Sequence, residues 1–205
     1  MYIVKTPEML QPLVNDLLWS VHTFEKEVFI TFDDGPTDII TDQVLDILAE
    51  YEAKATFFCL GKNVIAHPEI YERLQTAGHT IGNHTFDHPN GRKTGHFKYL
   101  RSVALGRKEI KSSYFRPPYG QITRAQVSAL KGKYKIVMWD IITGDFDQKI
   151  SEDQCVKNVL NNVKRGSIIV FHDSVKAAPR MIPALKTVLK ELKERGYKFS
   201  ALPTE

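Results

Sequence analysis

Two adjacent carboxylates, Asp33 and Asp34, end the apolar run Phe29-Ile30-Thr31-Phe32 and lead straight into a Gly35-Pro36 turn. A β-rich run that stops on two like charges gains no stability from them. Something must compensate the pair, and a divalent metal is the simplest candidate. Further along, His84 and His88 stand four residues apart. One helical turn at that spacing would bring both imidazoles to one face, within reach of a single cation. The histidine spacing alone is a weak signal, with solvent exposure as its plain alternative. Joined to the carboxylates, it points to two histidines and one carboxylate on a metal that keeps positions open for water and substrate.

Further polar groups follow apolar runs. Arg116 opens Arg116-Pro117-Pro118-Tyr119-Gly120, which by itself reads as a rigid turn with a surface arginine. Beside a carboxylate-rich mouth, the same arginine would hold one Asp ionised and oriented. His172 directly follows Ile168-Ile169-Val170-Phe171. A histidine placed there is either a structural hydrogen-bonding group or a general acid. Asp140 follows Trp139, and Asp145 lies within Thr143-Gly144-Asp145-Phe146. Tyr119 and Trp139 are candidates for the wall of a site, whereas Phe57, Phe58 and Phe171 sit in strand-like runs and are expected in the core. His22, His67, His79 and His96 have no partner pattern and are expected to be surface or structural histidines.

Such residues need a scaffold that gathers strand ends. Short apolar runs alternate with longer amphipathic ones, the pattern of a parallel sheet covered by helices. The spacing predicts strands at 28–32, 55–60, 80–81, 114–115, 135–139, 168–171 and 198–201. Helices are predicted near 39–51, 68–77, 97–112, 125–131, 152–164 and 178–195. Thr123 with Gln126 and Ser151 with Gln154 read as capping boxes, and Gly78, Gly166 and Gly196 as left-handed residues just past helix ends. The repeats suggest an α/β barrel, closed or nearly so, although an open doubly wound sheet shows the same alternation. No glycine-rich phosphate fingerprint follows the first strand, which weakens the nucleotide-binding form of that fold. Residues 7–19 are amphipathic and are predicted to form a helix across the barrel end. With no linker, repeat or low-complexity tract, residues 1–205 are expected to form a single domain, with a helical lead-in at 1–26.

Composition narrows the function classes. The content is 42% hydrophobic and 25% charged, ordinary for a soluble globular protein, and the net charge is only +4. Lys186, Lys190, Lys193 and Lys198 fall at helical spacing between apolar residues, so they read as a solvated helix face, and no nucleic-acid partner is expected. Cys59 and Cys155 have no partner at metal-ligand spacing and are expected to be free thiols. No stretch is long enough to span a bilayer. The N-terminus has no basic and then apolar leader, so the expected location is cytoplasmic, or secreted or periplasmic had a leader been removed. The oligomeric state is open.

In this order, the segments resemble the polysaccharide deacetylase family, the carbohydrate esterases (family 4) that share a NodB homology domain. The motifs are Thr31-Phe32-Asp33-Asp34-Gly35, His84-Thr85-Phe86-Asp87-His88, Arg116-Pro117-Pro118-Tyr119-Gly120, Thr143-Gly144-Asp145-Phe146 and Val170-Phe171-His172. They cover roughly residues 27–200. The resemblance implies a distorted (β/α) barrel of about seven strands and hydrolysis of N-acetyl groups on amino sugars of a polysaccharide or oligosaccharide, chitin-like or peptidoglycan-like. It implies Asp34, His84 and His88 as ligands of a divalent metal, usually zinc, with cobalt or nickel as alternatives. Asp33 would be the general base and His172 the general acid; Arg116 would orient Asp33, Asp145 would tune His172, and the backbone N–H of Tyr119 would help hold the oxyanion. Two positions depart from the family pattern. Phe146 stands where Trp is usual and lacks an indole N–H, and Val170 is smaller than the usual Leu. Alternative readings are hydrolysis of an O-acetyl ester or small non-sugar amide at the same centre, and a non-catalytic carbohydrate-binding module.

Overall fold

The computed structural model describes residues 3–6 and 16–203. Nine strands run through the described residues: β1 (Leu17–Leu18), β2 (Glu27–Asp33), β3 (Ala55–Cys59), β4 (Thr80–Asn83), β5 (Tyr114–Phe115), β6 (Lys135–Val137), β7 (Ile141–Ile142), β8 (Ile168–His172) and β9 (Lys198–Phe199). Among them lie a 3-10 turn at Pro118–Gly120 and seven α-helices: α1 (Ile40–Glu50), α2 (Gly61–Ala66), α3 (Pro68–Thr76), α4 (His96–Glu109), α5 (Arg124–Leu130), α6 (Glu152–Leu160) and α7 (Ala178–Glu194). Eight strands pair in the order β1-β6-β5-β4-β3-β2-β8-β7, all in parallel, and β9 adds to the start of β2. This is the distorted α/β barrel the sequence predicts. No β1–β7 ladder closes it among the described residues. Residues 4–6 lie against β7 instead, with Thr6 N–H donating to Asp140 O and Ile142 N–H to Val4 O.

The alternation in β2 sets up both layers. Val28, Ile30 and Phe32 face outward and pack with Phe57, Phe171 and the buried stripes of α1 and α7. Phe32 stacks on Phe57 at 4.9 Å and on Phe171 at 5.9 Å between ring centroids. On the inner face, Phe29 joins Phe58, Tyr114, Val137, Ile168 and Leu202 as a plug inside the barrel. Thr31 and Asp33 continue that inner face toward the strand ends, since residues two apart share a side. α7 buries Met181, Ala184, Leu185, Val188, Leu189 and Leu192 along one stripe and leaves Lys186, Lys190 and Lys193 in solvent. Each buried leucine there contributes about 1.5–3 kcal/mol relative to exposure.

Several sequence expectations are corrected. β1 and β7 are too short to give a periodic signal and went unpredicted. Of the helix expected at 7–19, residues 7–15 lie outside the described residues, and Leu17–Leu18 pairs with β6 as a strand. β6 stops at Val137, so Trp139 is not in a strand. The Thr123–Gln126 capping box is complete, but at Ser151 only half forms: Ser151 accepts from Gln154 N–H, while the Gln154 side chain turns to Asn158. Cys59 and Cys155 are buried and unpaired. No described helix is long and apolar enough to cross a membrane.

Candidate active site

Parallel pairing places Asp33 and His172 as register partners at the ends of β2 and β8. The chain turns sharply after Asp33, and Asp34 takes a left-handed conformation (φ 86°). This reversal sends neighbouring carboxylates to different surroundings. Asp33 is 3% exposed and accepts from Arg116 Nη1 at 2.7 Å. Asp34 lies instead beside the two imidazoles, with Oδ1 3.2 Å from His88 Nε2 and 3.8 Å from His84 Nε2.

His84 and His88 come together by a route other than the helical turn expected from their spacing. Residues 84–88 form a loop after β4 in which Thr85 (φ 72°) and His88 (φ 61°) are left-handed. Asn83 Oδ1 accepts from Thr85 N–H, and Thr85 Oγ1 accepts from His88 N–H, so side chains hold a turn that bare backbone disfavours. The rings end 5.1 Å apart. His84 Nδ1 sits 2.8 Å from the carbonyl of Arg116. A carbonyl only accepts, so Nδ1 carries the proton and Nε2 keeps its lone pair toward Asp34 and His88. Burial pushes the His84 imidazole down to about 4, despite opposing attraction from Asp33, which keeps it neutral as a metal ligand requires.

One ligand atom from each of Asp34, His84 and His88 lies within 4.8 Å of the others. Asp34 Oδ1 is buried and, although close to both rings, is aligned for a hydrogen bond with neither. Burial would raise the Asp34 carboxyl, but contact with His88 and the charge on His172 hold it well below the usual carboxylate range. An ionised, unsatisfied oxygen facing two imidazole nitrogens suits a divalent cation. The residues therefore fit the metal that the sequence implies.

Arg116 is fully buried rather than a surface residue of a turn. Its Nη1 also donates to Thr31 Oγ1, and Nη2 donates to Met138 O, while the guanidinium lies 4.0 Å from the Phe58 ring centroid. Burial pulls its pKa down, and Asp33 opposes that shift. Removing it strands the Asp33 charge. Arg116→Met is expected to cost about 3–5 kcal/mol of stability, measured by urea unfolding; a loss under 1 kcal/mol would show that the pair is not an obligate one.

On the opposite side, Asp145 grips His172 twice. Its Oδ2 accepts from the His172 backbone N–H at 2.7 Å and its Oδ1 from Nδ1–H at 2.8 Å. Burial opposes charge on the ring, yet Asp145 raises the imidazole to about 9. Phe146 meets the ring edge-on at 5.2 Å. Tyr119 is left-handed (φ 60°), 61% exposed, and packs against His88 at 4.5 Å. A cavity of about 410 Å³ opens beside Asp34 and His88, with Lys62, Asn63 and His67 on its outer wall.

The structure thus brings Asp33, Asp34, His84, His88, Arg116, Tyr119, Asp145 and His172 to one mouth. Asp140 is elsewhere. It precedes β7 at the start of the strands, bound to Ser167. His79 accepts from Ala55 N–H as a structural histidine, but His67, expected to be unremarkable, borders the site. Sequence reasoning missed Asn63, whose Nδ2 donates to Asp34 O at 2.7 Å. No local pattern signals a bond across 29 residues.

Comparison with known proteins gives a consistent picture. Residues 20–134 match the polysaccharide deacetylase family. A peptidoglycan-N-acetylglucosamine deacetylase of Bacillus cereus is 37% identical over 187 residues, covering 87% of this chain and 67% of that protein. A chitooligosaccharide deacetylase of Azorhizobium caulinodans is 34% identical, covering 87% of this chain and 94% of that protein. Among solved structures, a peptidoglycan N-acetylglucosamine deacetylase in complex with an N-hydroxybenzamide superposes with a TM-score of 0.88 at 33% identity, covering 97% of this chain and 95% of that one.

Proposed function

The chain belongs to the polysaccharide deacetylase family, and we propose that it hydrolyses N-acetyl groups on N-acetylglucosamine units of a peptidoglycan-like or chitin-like glycan. The observation that carries this reading is the division of Asp33 from Asp34: one faces a buried arginine, the other two histidines. Asp34, His84 and His88 would hold a divalent metal, zinc first, with cobalt or nickel able to replace it. When bound, the cation supplies Lewis acidity, which acidifies water and polarises an amide carbonyl.

Asp33 takes the proton that water loses on attacking the acetyl carbon. Arg116 keeps that carboxylate ionised and fixed, so its free oxygen serves as the base. The tetrahedral oxyanion is met by the Tyr119 N–H at the site mouth. As the C–N bond breaks, His172 gives the Nε2 proton to the departing amine, and Asp145 steadies the imidazolium until then. Phe146, packed on His172, walls the pocket without offering a side-chain donor.

Acetate release from chitin oligomers and peptidoglycan fragments tests the proposal. Release is expected to fall to background after treatment with a chelator and to return with zinc or cobalt. No acetate from either polymer by protein with metal demonstrably bound would refute the reading. Release from an O-acetylated sugar alone would move the activity to esters.

A further inference from the structure

We propose that Asp173 is a positioning residue that fixes the Asp33-Asp34-Gly35 turn, and through it the direction in which Asp34 presents its carboxylate. The inference rests on the reading of Asp34 as a metal ligand. Asp34 is an L-residue in left-handed backbone, a conformation that persists only where surrounding contacts over-determine it. The atoms that set this conformation are the peptide groups on either side, and one residue grips both. Asp173 N–H donates to Asp33 O at 3.2 Å, and Asp173 Oδ1 accepts from Gly35 N–H at 3.0 Å.

The second carboxylate oxygen is also engaged. Thr41 Oγ1 donates to Asp173 Oδ2 at 2.6 Å and accepts from Thr37 N–H at 2.8 Å, tying the start of α1 to the same point. The approach requires glycine at position 35, because a Cβ there would meet Asp173 Oδ2 at 2.0 Å. Asp173 is fully buried, and burial pushes its carboxyl up to about 8 against the pull of the Thr41 hydrogen bond. An acid in such a place is a liability to the core. Its hydrogen bonds all lead to the turn that carries Asp34 or to the helix start beside it. Asp173 also follows His172 directly, so the residue that fixes the metal-side turn is joined by one peptide bond to the residue proposed to donate the proton.

The test titrates the 205-residue chain with cobalt(II), followed by its visible absorption, alongside melting temperature and steady-state acetate release from chitin oligomers. Asp173→Ala is expected to bind cobalt about 10–100-fold more weakly, as loss of a partner that orients a metal ligand does. Its kcat should fall with KM within about twofold, since the substrate walls are untouched. Asp173→Asn should recover most of the cobalt affinity, because an amide oxygen still accepts from Gly35 N–H. Thr41→Val should weaken cobalt at least about threefold and Thr41→Ser should match wild type; this pair decides the matter if Asp173→Ala does not fold. Wild-type cobalt affinity, spectrum and kcat in Asp173→Ala, with only a lower melting temperature, would overturn the proposal, as would Thr41→Val indistinguishable from wild type. A wild-type protein that binds cobalt but releases no acetate would sink the deacetylase reading, while the cobalt titrations would still decide the role of Asp173.

Discussion

Asp33→Asn is expected to lower kcat by about 10²–10⁴-fold, the span of a lost general base, while cobalt or zinc affinity stays within about threefold of wild type. His84→Ala should lose both together. The contrast follows from geometry. Asp33 touches Arg116 and lies on the inner face of the barrel, whereas the oxygen that faces the two imidazoles belongs to Asp34. Asparagine keeps the size of the side chain and an oxygen that accepts from Arg116 Nη1, but it cannot take a proton from water. It also leaves the buried guanidinium without a counter-charge, so a lower melting temperature should accompany the lost turnover. His84→Ala removes a nitrogen from the ligand set and leaves the Arg116 carbonyl without its donor. The measurement is metal stoichiometry after dialysis, paired with acetate release. Metal loss from Asp33→Asn equal to that from His84→Ala would show that both aspartates act on the cation, and the proposed division between them would be wrong.

The sequence made this contrast legible because the relevant residues stand at the ends of recognisable apolar runs. Alternation in Val28–Phe32 and the stripe in α7 reflect packing that repeats along each element, so they read directly from residue type. The strand order does not, since which runs become neighbours depends on contacts between distant segments. Short strands fail for a related reason: Leu17–Leu18 and Ile141–Ile142 have two residues each and owe their conformation to partners rather than to pattern. The histidines show a spacing that pointed to a common cation through the wrong local structure. Four residues suggested a helical turn, but two left-handed residues, held by Asn83 and Thr85 side chains, achieve the juxtaposition in a loop. Asn63 and Asp173 lie beyond sequence reasoning because their bonds to the Asp34 turn cross 29 and 138 residues. From sequence alone Arg116 reads as a surface residue, because an isolated arginine beside prolines usually is. Only the inner plug of Phe58 and the carbonyls beyond β6 explain its burial.

Asp145→Asn is expected to move the alkaline limb of kcat from near pH 9 to pH 6.5 or below. His172 must be protonated to release the amine, and burial alone would drive its proton off. The raised value of about 9 comes chiefly from Asp145, with smaller attraction from Asp34 and Asp33. A cation held by Asp34 offsets that smaller attraction, which leaves Asp145 as the group that keeps the acid charged. With the limb displaced, the protonated share of His172 at pH 8 falls from about nine-tenths to about one-thirtieth, so activity there should drop roughly 30-fold while activity near pH 6 changes far less. Stability should follow the same proton. A histidine whose folded pKa lies above its ordinary 6.5 contributes fully below that pH and loses its contribution as the pH rises through about 9. The melting temperature of the wild type should therefore decline across that window, and Asp145→Asn should remove that component of the slope. Paired profiles of kcat and melting temperature from pH 5.5 to about 9.5 measure both effects. If the alkaline limb stays in place when Asp145 is changed, another group titrates there, and His172 is not the acid that delivers the proton.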